Sequence, residues 1–255
     1  MNQIETAASM ILTSKKLVAF TGAGVSTESG IPDFRSPGGL WDRFDPDEMS
    51  YQNFLSSEES REKIWAFSKM LYPEVVKARP NAAHLALVEL YNLGKLDCVI
   101  TQNVDFLHQR AGLPEDKVIE LHGTLKWVVC LNCGRRFPRE EIQKRLEAGE
   151  KVPRCDFCGG ITKPATVAFG QPMPEKETRL AEAKAASSDL FLVCGSSLVV
   201  YPAAQMPLIA KENGAKLIII NLSETPHDRY ADLIIRQKVG EALSQIVAQV
   251  KAKLN

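Results

Sequence analysis

Five short apolar runs, spread over the whole chain, constrain its fold more strongly than any other feature of the sequence. They occupy residues 17–20, 97–101, 190–194, 216–221 and 233–235, and nearly every position in them is apolar. Strands of a parallel sheet that helices cover on both faces have this pattern, whereas strands with one face in water alternate polar and apolar residues. The runs therefore predict the strands of a parallel sheet.

Helical patterns separate these runs. Apolar residues share one helical face among residues 4–12 and again among residues 243–250, and a further helix is predicted for residues 82–93, with Gly94 as its C-terminal cap. Strands that alternate with helices predict an α/β fold built as a doubly wound parallel sheet. Because the N-terminus has no basic leader, its helix is interpreted as structural and not as an export signal.

Two stretches interrupt the alternation of strands and helices. One begins with loop signals and continues into a helical pattern around residues 58–71, and the other contains paired cysteines. Both are interpreted as insertions that together form a second, smaller domain. The expected division assigns residues 1–36, 81–124 and 165–255 to the larger domain, and residues 37–80 and 125–164 to the smaller one.

Four of the six cysteines form two C-x2-C pairs, Cys130 with Cys133 and Cys155 with Cys158. The 21 residues between the pairs exceed by one the usual spacing of a four-cysteine zinc ribbon, about 15–20 residues. Four thiolates complete the tetrahedral shell of one zinc ion and leave no position for water, so this zinc is expected to be structural. The alternative is a set of incidental or redox-active cysteines. The two remaining cysteines, Cys98 and Cys194, lie in apolar runs and are expected to be buried.

Glycines and small polar residues follow four of the predicted strands, at residues 22–27 (GAGVST), 101–105 (TQNVD), 195–197 (GSS) and 221–223 (NLS). Because the carboxyl ends of parallel strands line one crevice, these segments are expected to converge on a ligand. A glycine turn that leads into a helix N-terminus would suit a pyrophosphate. The alternative is that these residues only start loops and cap helices. An ordinary NAD dehydrogenase is disfavoured, because Thr27 replaces the third glycine of G-x-G-x-x-G and no strand with an acidic end follows.

Charge and hydropathy argue against two kinds of partner. The chain has 31 basic and 31 acidic residues, so no global charge attracts a polyanion and direct nucleic-acid binding is not expected. No apolar run approaches the roughly 20 residues that cross a bilayer, so no membrane association is expected. A cytoplasmic location is the expectation, and it agrees with cysteines that remain thiols.

Several segments, taken in order along the chain, resemble the sirtuin family. They are GAGVSTESGIPDFRSPGGLW (22–41), TQNVDFLHQRAG (101–112), LHGT (121–124), the two cysteine pairs, FGQPMP (169–174), GSSLVVYPAA (195–204) and the segment at Asn221. The resemblance implies a Rossmann-like large domain, a small zinc domain, and a cleft that takes NAD and an acyl-lysine protein or peptide. It also implies an NAD-dependent protein lysine deacylase, which releases nicotinamide and transfers the acyl group to give 2′-O-acyl-ADP-ribose.

The same resemblance implies where NAD would bind. Ala23 and Gly24 would lie near the pyrophosphate, Ser196 would bind phosphate, Asn221 would bind the adenosine ribose, and Asp105 would hold the nicotinamide carboxamide. The implied cofactor residues are Gly22, Ala23, Gly24, Thr27, Ile31, Asp33, Phe34, Arg35, Gln102, Asp105, Gly195, Ser196, Ser197, Asn221, Ser223 and Val239.

The reacting residues are implied in the same way. His122 matches the general base of the family, and Asn103 would position a water or the ribose hydroxyls. An unperturbed imidazole pKa of about 6.5 would suit proton abstraction at neutral pH. The other histidines are not assigned this role: His84 and His227 have no matching motif, and His108 is expected to pack or to form a hydrogen bond.

The substrate peptide is expected to bind by strand addition between residues 167–170 and 197–199. The implied contacts are Val167, Phe169, Gly170 and Val199. With Phe34 and His122, the side chains of Val167 and Phe169 would form an apolar tunnel for the acyl-lysine.

Two positions depart from the usual sirtuin pattern, since Gln171 replaces Glu and Ser196 replaces Thr. Both changes are expected to alter peptide preference or rate without abolishing activity. The helix after Trp65 lacks the Tyr-x-x-Arg pair that binds acidic acyl groups, and Met70 and Leu71 offer an apolar end, so acetyl and longer apolar groups are expected. Two alternatives to deacylation stay open, namely mono-ADP-ribosyl transfer and a non-catalytic NAD-sensing module.

Overall fold

The computed structural model describes residues 2–33 and 48–254. The α-helices within these ranges are α1 Gln3–Thr13, α2 Tyr51–Ser56, α3 Glu58–Lys77, α4 Ala82–Asn92, α5 Leu107–Ala111, α6 Arg139–Glu147, α7 Glu175–Ala186, α8 Met206–Glu212 and α9 Val239–Leu254. The strands are β1 Leu17–Thr21, β2 Leu96–Thr101, β3 Val118–Glu120, β4 Gly123–Cys130, β5 Arg136–Pro138, β6 Thr162–Thr166, β7 Leu190–Cys194, β8 Lys216–Ile220 and β9 Leu233–Ile235. Within the described ranges, no helix is long and apolar enough to cross a membrane.

Six strands form one parallel sheet in the order β3-β2-β1-β7-β8-β9. The chain order reverses between the neighbours β1 and β7, which is the point where open α/β sheets bind ligands. The prediction of a doubly wound, Rossmann-like sheet is thus confirmed. Strand β3 was not predicted, because three residues ending in Glu120 give too short an apolar run to stand out.

Helices cover both faces of this sheet. One apolar cluster joins the sheet to α1, α4 and α9, and a second cluster joins the opposite face to α7 and α8. The central strands β1 and β7 are buried at every position. This burial explains why their sequences are continuous apolar runs.

A smaller unit is built on the antiparallel sheet β5-β4-β6. Its core combines Trp65 of α3 with Val128 of β4 and with Ile142 and Leu146 of α6. The described parts of the two insertions therefore pack against each other, a contact that the sequence could not establish. The exact domain boundaries stay a prediction.

The buried side chain of Arg139 reinforces the contact between α3 and α6. Its guanidinium lies over the rings of Trp65 and Tyr72, at 5.8 and 4.5 Å from their centroids. It also donates hydrogen bonds to the carbonyl and hydroxyl oxygens of Ser68. Burial lowers the pKa of Arg139 to about 10, which still leaves it charged at neutral pH.

Candidate active site

The glycine turn after β1 is shaped by the loop after β7. A Cβ atom on Gly22 would lie 2.7 Å from the carbonyl oxygen of Gly195, and one on Gly24 would lie 2.9 Å from the Cα of Gly195. The backbone of Gly24 also donates a hydrogen bond of 2.9 Å to the Gly195 carbonyl. Glycine is therefore needed here for close approach of two backbones.

The predicted helix N-terminus at this turn is wrong. The chain forms two short 3-10 turns instead, Ala23–Val25 and Thr27–Ser29, and Gly30 with a φ of 83° ends the second. Such turns are too short to sum a large helix dipole, so any pyrophosphate here would depend on individual N–H groups.

A hydrogen-bond network joins the glycine turn to the loop after β2. The side-chain amide of Asn103 donates to the carbonyl of Gly22 at 3.0 Å and to Oγ of Ser26 at 3.1 Å. The Ser26 hydroxyl donates to Oδ2 of Asp105 at 2.6 Å, and Oδ1 of Asp105 accepts from the backbone of Leu107. Burial raises the pKa of Asp105, while these hydrogen bonds oppose that shift.

Ser26 is a site residue that the sequence reasoning missed, although it lies inside the quoted glycine segment. Its hydroxyl both accepts from Asn103 and donates to Asp105, so it couples two residues that the resemblance implied. Asn81 was missed as well, because its signal was that of a helix cap. Its side-chain amide donates to the carbonyl of Val25 at 2.7 Å and to the hydroxyl of Ser29 at 2.9 Å.

Gln102 links Ser196, in the loop after β7, to His122. Its side-chain amide donates to Oγ of Ser196 at 2.8 Å, and its backbone carbonyl accepts from Nδ1 of His122 at 3.1 Å. Because a carbonyl oxygen can only accept, Nδ1 carries the proton and Nε2 is the basic nitrogen of the ring. Burial lowers the pKa of His122 below its ordinary value, so the expectation of an unperturbed pKa is wrong.

The segment expected to bind the peptide begins directly beside His122. The backbone of Val167 donates to the His122 carbonyl at 2.8 Å, and the carbonyl of Phe169 accepts from the backbone of Tyr51 at 2.8 Å. Oε1 of Gln171 accepts from the backbone of Ala168 at 3.2 Å. Much of the backbone of residues 167–169 therefore already forms hydrogen bonds within the protein. Fewer of its N–H and C=O groups can pair with a peptide that adds as a strand.

The adenosine end of the predicted site lies after β8. The Asn221 side chain donates to the carbonyl of Ser223, and the Arg236 guanidinium donates to the carbonyls of both residues, at 3.1 and 2.9 Å. Arg236 also pairs with Asp228, so its charge is neutralised within this loop. Arg236 was not predicted, because its position after a short edge strand carries no motif.

The predicted residues that the structure describes gather at one edge of the large sheet. Gly22, Ala23, Gly24 and Thr27 follow β1, Gln102, Asn103 and Asp105 follow β2, Gly195, Ser196 and Ser197 follow β7, Asn221 and Ser223 follow β8, and Val239 begins α9. Ile31 and Asp33 lie beyond the 3-10 turns, and Phe34 and Arg35 lie outside the described residues. The predicted convergence of the strand ends is therefore observed.

Two other histidines are buried together beneath this edge. The rings of His84 and His108 lie 5.0 Å apart, and Nε2 of His108 is 2.9 Å from the hydroxyl of Thr21. Burial lowers the pKa of His84 to about 4 and lowers that of His108 well below its ordinary value. These rings pack and hydrogen-bond as neutral groups, in agreement with the prediction for His108.

The four paired cysteines form one cluster. The sulfurs of Cys130, Cys133, Cys155 and Cys158 all lie within 4.8 Å of one another. Two of the contacts, Cys130 to Cys158 and Cys133 to Cys155, measure 3.5 and 3.8 Å. Tetrahedral coordination with Zn–S bonds of about 2.3 Å places sulfurs about 3.8 Å apart, so the donor set fits one zinc ion.

The chemistry of the groups at this edge of the sheet also fits NAD. Amide and hydroxyl groups of Gln102, Asn103, Ser196 and Asn221 stand at neighbouring strand ends, and such groups hydrogen-bond ribose hydroxyls and phosphate oxygens. The closely packed glycine turn brings the loops after β1 and β7 together at this edge.

Comparison with known proteins agrees with this geometry. The model of the Sir2 family matches residues 22–202. An NAD-dependent protein deacetylase of Thermodesulfovibrio yellowstonii is 48% identical over 244 residues, which cover 96% of this chain and 94% of that one. An NAD-dependent protein deacylase of Archaeoglobus fulgidus is 44% identical, with 98% of this chain and 97% of that one covered. A solved Sir2 structure with a p53 peptide and NAD+ superposes with a TM-score of 0.89 at 38% identity and covers 100% of both chains. The chain belongs to the Sir2 family, the sirtuins.

Proposed function

We propose that this protein is an NAD-dependent protein lysine deacetylase that also accepts longer apolar acyl groups. Acyl-lysine, NAD and water give free lysine, nicotinamide and 2′-O-acyl-ADP-ribose. The names of the close relatives support this activity, and so does the neighbour that holds both a peptide and NAD+. The observation that carries the proposal is a neutral His122 whose Nε2 is left as the base between the NAD-binding loops and the peptide segment.

Bound NAD supplies a ribose carbon whose bond to nicotinamide can be broken. Ser26 accepts from Asn103 and donates to Asp105, so both side chains would be held in place where nicotinamide binds. Groups that hydrogen bonds already hold in place lose little freedom on binding, so they would orient the cofactor at low entropic cost. Ser196 and Asn221 would bind the phosphate and the adenosine ribose at the other strand ends.

His122 then acts as the general base. Its Nε2 takes a proton from a ribose hydroxyl, while the Gln102 carbonyl accepts from Nδ1 and stabilises the imidazolium that forms. No cysteine is needed as a nucleophile. Burial raises the pKa of Cys98 to about 12 and raises that of Cys194 further, so neither forms a thiolate at neutral pH.

Zinc would stabilise the small unit without entering the reaction. The four cysteine sulfurs lie within 4.8 Å of one another, and one ion bound by them would tie the end of β4 to the segment before β6. Four protein ligands leave no coordination position for substrate or water.

Peptide binding would use the segment 167–170 and the exposed side chains of Phe169 and Val199 at its rim. The balance of 31 basic and 31 acidic residues gives no support to nucleic acid as a direct partner.

The decisive experiment is mass spectrometry of the zinc-loaded enzyme with NAD and an acetyl-lysine peptide. Equal amounts of deacetylated peptide, nicotinamide and O-acetyl-ADP-ribose, all lost in His122→Ala, are expected. Nicotinamide release with ADP-ribose attached to protein would favour the transferase alternative. The absence of NAD turnover with every acyl-lysine tested would leave only the binding module.

A further inference from the structure

Lys163 in β6 is a buried lysine without an acidic partner. Lys163 is only 3% exposed. Its ammonium donates to the carbonyl of Pro164 at 3.1 Å and to the carbonyl of Thr166. Among the ion pairs of the described residues, none includes Lys163. Burial alone lowers its pKa to about 8.

The Thr166 carbonyl and the Val167 N–H belong to one peptide group, and this group is held at both ends. Lys163 donates to its oxygen, and its N–H donates to the carbonyl of His122 at 2.8 Å. Hydrogen bonds in such a chain polarise and strengthen one another. The peptide group therefore links the Lys163 ammonium directly to the backbone of the proposed base.

The strands on either side approach unusually closely at this point. Gly123, the residue after His122, has a φ of 72°, and a Cβ atom there would lie 2.1 Å from the carbonyl oxygen of Ala165. Gly123 also pairs with Thr166 in the small sheet. The distance between the His122 loop and the start of residues 167–170 is thus fixed by backbone contact together with the lysine.

Burying an ammonium without an acidic partner is unfavourable, because the charge loses its hydration. An apolar side chain of similar length, such as methionine, would fill the same space without that cost. The geometry of the peptide group offers a reason for the lysine, since only a long side chain with a donor at its end reaches the Thr166 oxygen from position 163.

We propose that Lys163 is a positioning residue that sets the spacing between His122 and the acyl-lysine-binding segment 167–170. This inference rests on the proposed deacylase function. Loss of the ammonium would free the backbone amide between Thr166 and Val167 and so weaken binding of the substrate peptide. Lys163 forms no hydrogen bond to the strand ends proposed to bind NAD, so these should stay unchanged.

The test compares Lys163→Met, Lys163→Arg and the surface control Lys176→Met as zinc-loaded enzymes. We expect Lys163→Met to raise the KM for an acetyl-lysine peptide by about tenfold, with the KM for NAD and the zinc content unchanged. Lys163→Arg keeps a charged donor and is expected to restore the peptide KM to within about threefold. Lys176, exposed on α7, should have no effect.

A peptide KM in Lys163→Met equal to that of the wild type would overturn the inference and leave the deacylase function intact. An equal rise in the KM for both substrates would also overturn it, because it would indicate general damage. If Lys163→Met loses zinc, the kinetic test is replaced by measuring hydrogen exchange of the Val167 amide in Lys163→Gln. Exchange of this amide as slow as in the wild type would contradict the proposed role of Lys163. Wild-type enzyme that deacetylates no peptide would instead contradict the proposed function.

Discussion

Two local features suit His122 to the role of base proposed for it, its half-buried ring and the carbonyl that accepts from Nδ1. Burial lowers the pKa of the imidazole, so the neutral ring prevails above that pKa and Nε2 is free to take a proton. The base is therefore available throughout the neutral range without an acidic partner.

The pH profile of deacetylation tests this state of His122. Because the pKa lies below its ordinary value of 6.5, kcat/KM for the peptide should have reached its plateau at pH 7 and should fall as the pH drops below about 6.5. Initial rates at saturating NAD measure the profile. An acid limb centred above pH 7 would contradict a histidine that is neutral at pH 7.

At Gly195, the backbone conformation and the close approach of a neighbouring loop require glycine. Its φ is 58°, and a Cβ atom would lie 2.6 Å from the backbone of both Gly24 and Val25. We expect Gly195→Ala to destabilise the protein by about 2–4 kcal/mol and to abolish NAD binding, since the two loops must separate. Denaturant unfolding and calorimetric titration with NAD measure these effects.

Gly214→Ala is the matched control for that substitution. Gly214 also has a positive φ, 90°, but a Cβ atom there would meet nothing within 4 Å. Gly214→Ala should lower the free energy of unfolding only by the backbone strain, about 1–2 kcal/mol, and should leave NAD binding normal. Equal costs at the two glycines would show that the approach of Gly195 to Gly24 is unimportant.

Among the structural elements, the small antiparallel sheet depends most on its metal. Strand β5 has three residues, and among the described residues its sheet shares two small apolar clusters with α3 and α6. So few buried groups cannot stabilise a sheet of this size alone, which is why the four-cysteine cluster matters.

Removal of zinc should therefore disorder this unit and spare the large sheet. We expect Cys155→Ser to lose the metal and more than nine-tenths of the deacetylase activity, because β6 leads into the peptide segment 167–170. Zinc analysis and circular dichroism measure the change. Cys98→Ala, a buried cysteine outside the cluster, should keep its zinc. Full activity in a metal-free Cys155→Ser would contradict this role.

On the scale of the whole molecule, the buried histidine pair ties stability to pH. The folded pKa of His84 is about 4, against 6.5 in the unfolded chain, so the unfolded state binds more protons between these values. The stabilisation is complete above pH 6.5 and is lost as the pH falls towards 4, by about 3 kcal/mol in total.

Thermal unfolding of wild type and His84→Gln between pH 7 and 5 measures this contribution. The wild type should lose about 2 kcal/mol more than the variant over this interval, because only the wild type must protonate His84 on unfolding. Parallel pH profiles for the two proteins would mean that His84 does not govern the acid sensitivity.

The sequence by itself determined the class of fold, the zinc ligands and the family. Continuous apolar runs such as residues 190–194 identify buried parallel strands. In a C-x2-C pair, the short spacing places two metal ligands side by side, so both signals are local. The base was implied by a short motif around His122. These features could be predicted because each depends on residues that are neighbours in the chain.

Only the tertiary structure decided which groups hold the site residues in place. Ser26 joins Asn103 to Asp105, Gln102 selects the tautomer of His122, and Lys163 grips the peptide group beside it. The contacts of Ser26 and Gln102 join segments that are distant in sequence, and the Lys163 contact acts on the site because the next peptide N–H bonds to His122. Burial then shifts the pKa of Asp105, His122 and Lys163. The short strand β3 and the 3-10 turns also escaped prediction, because packing of neighbouring strands and loops determines them more than their own side chains do.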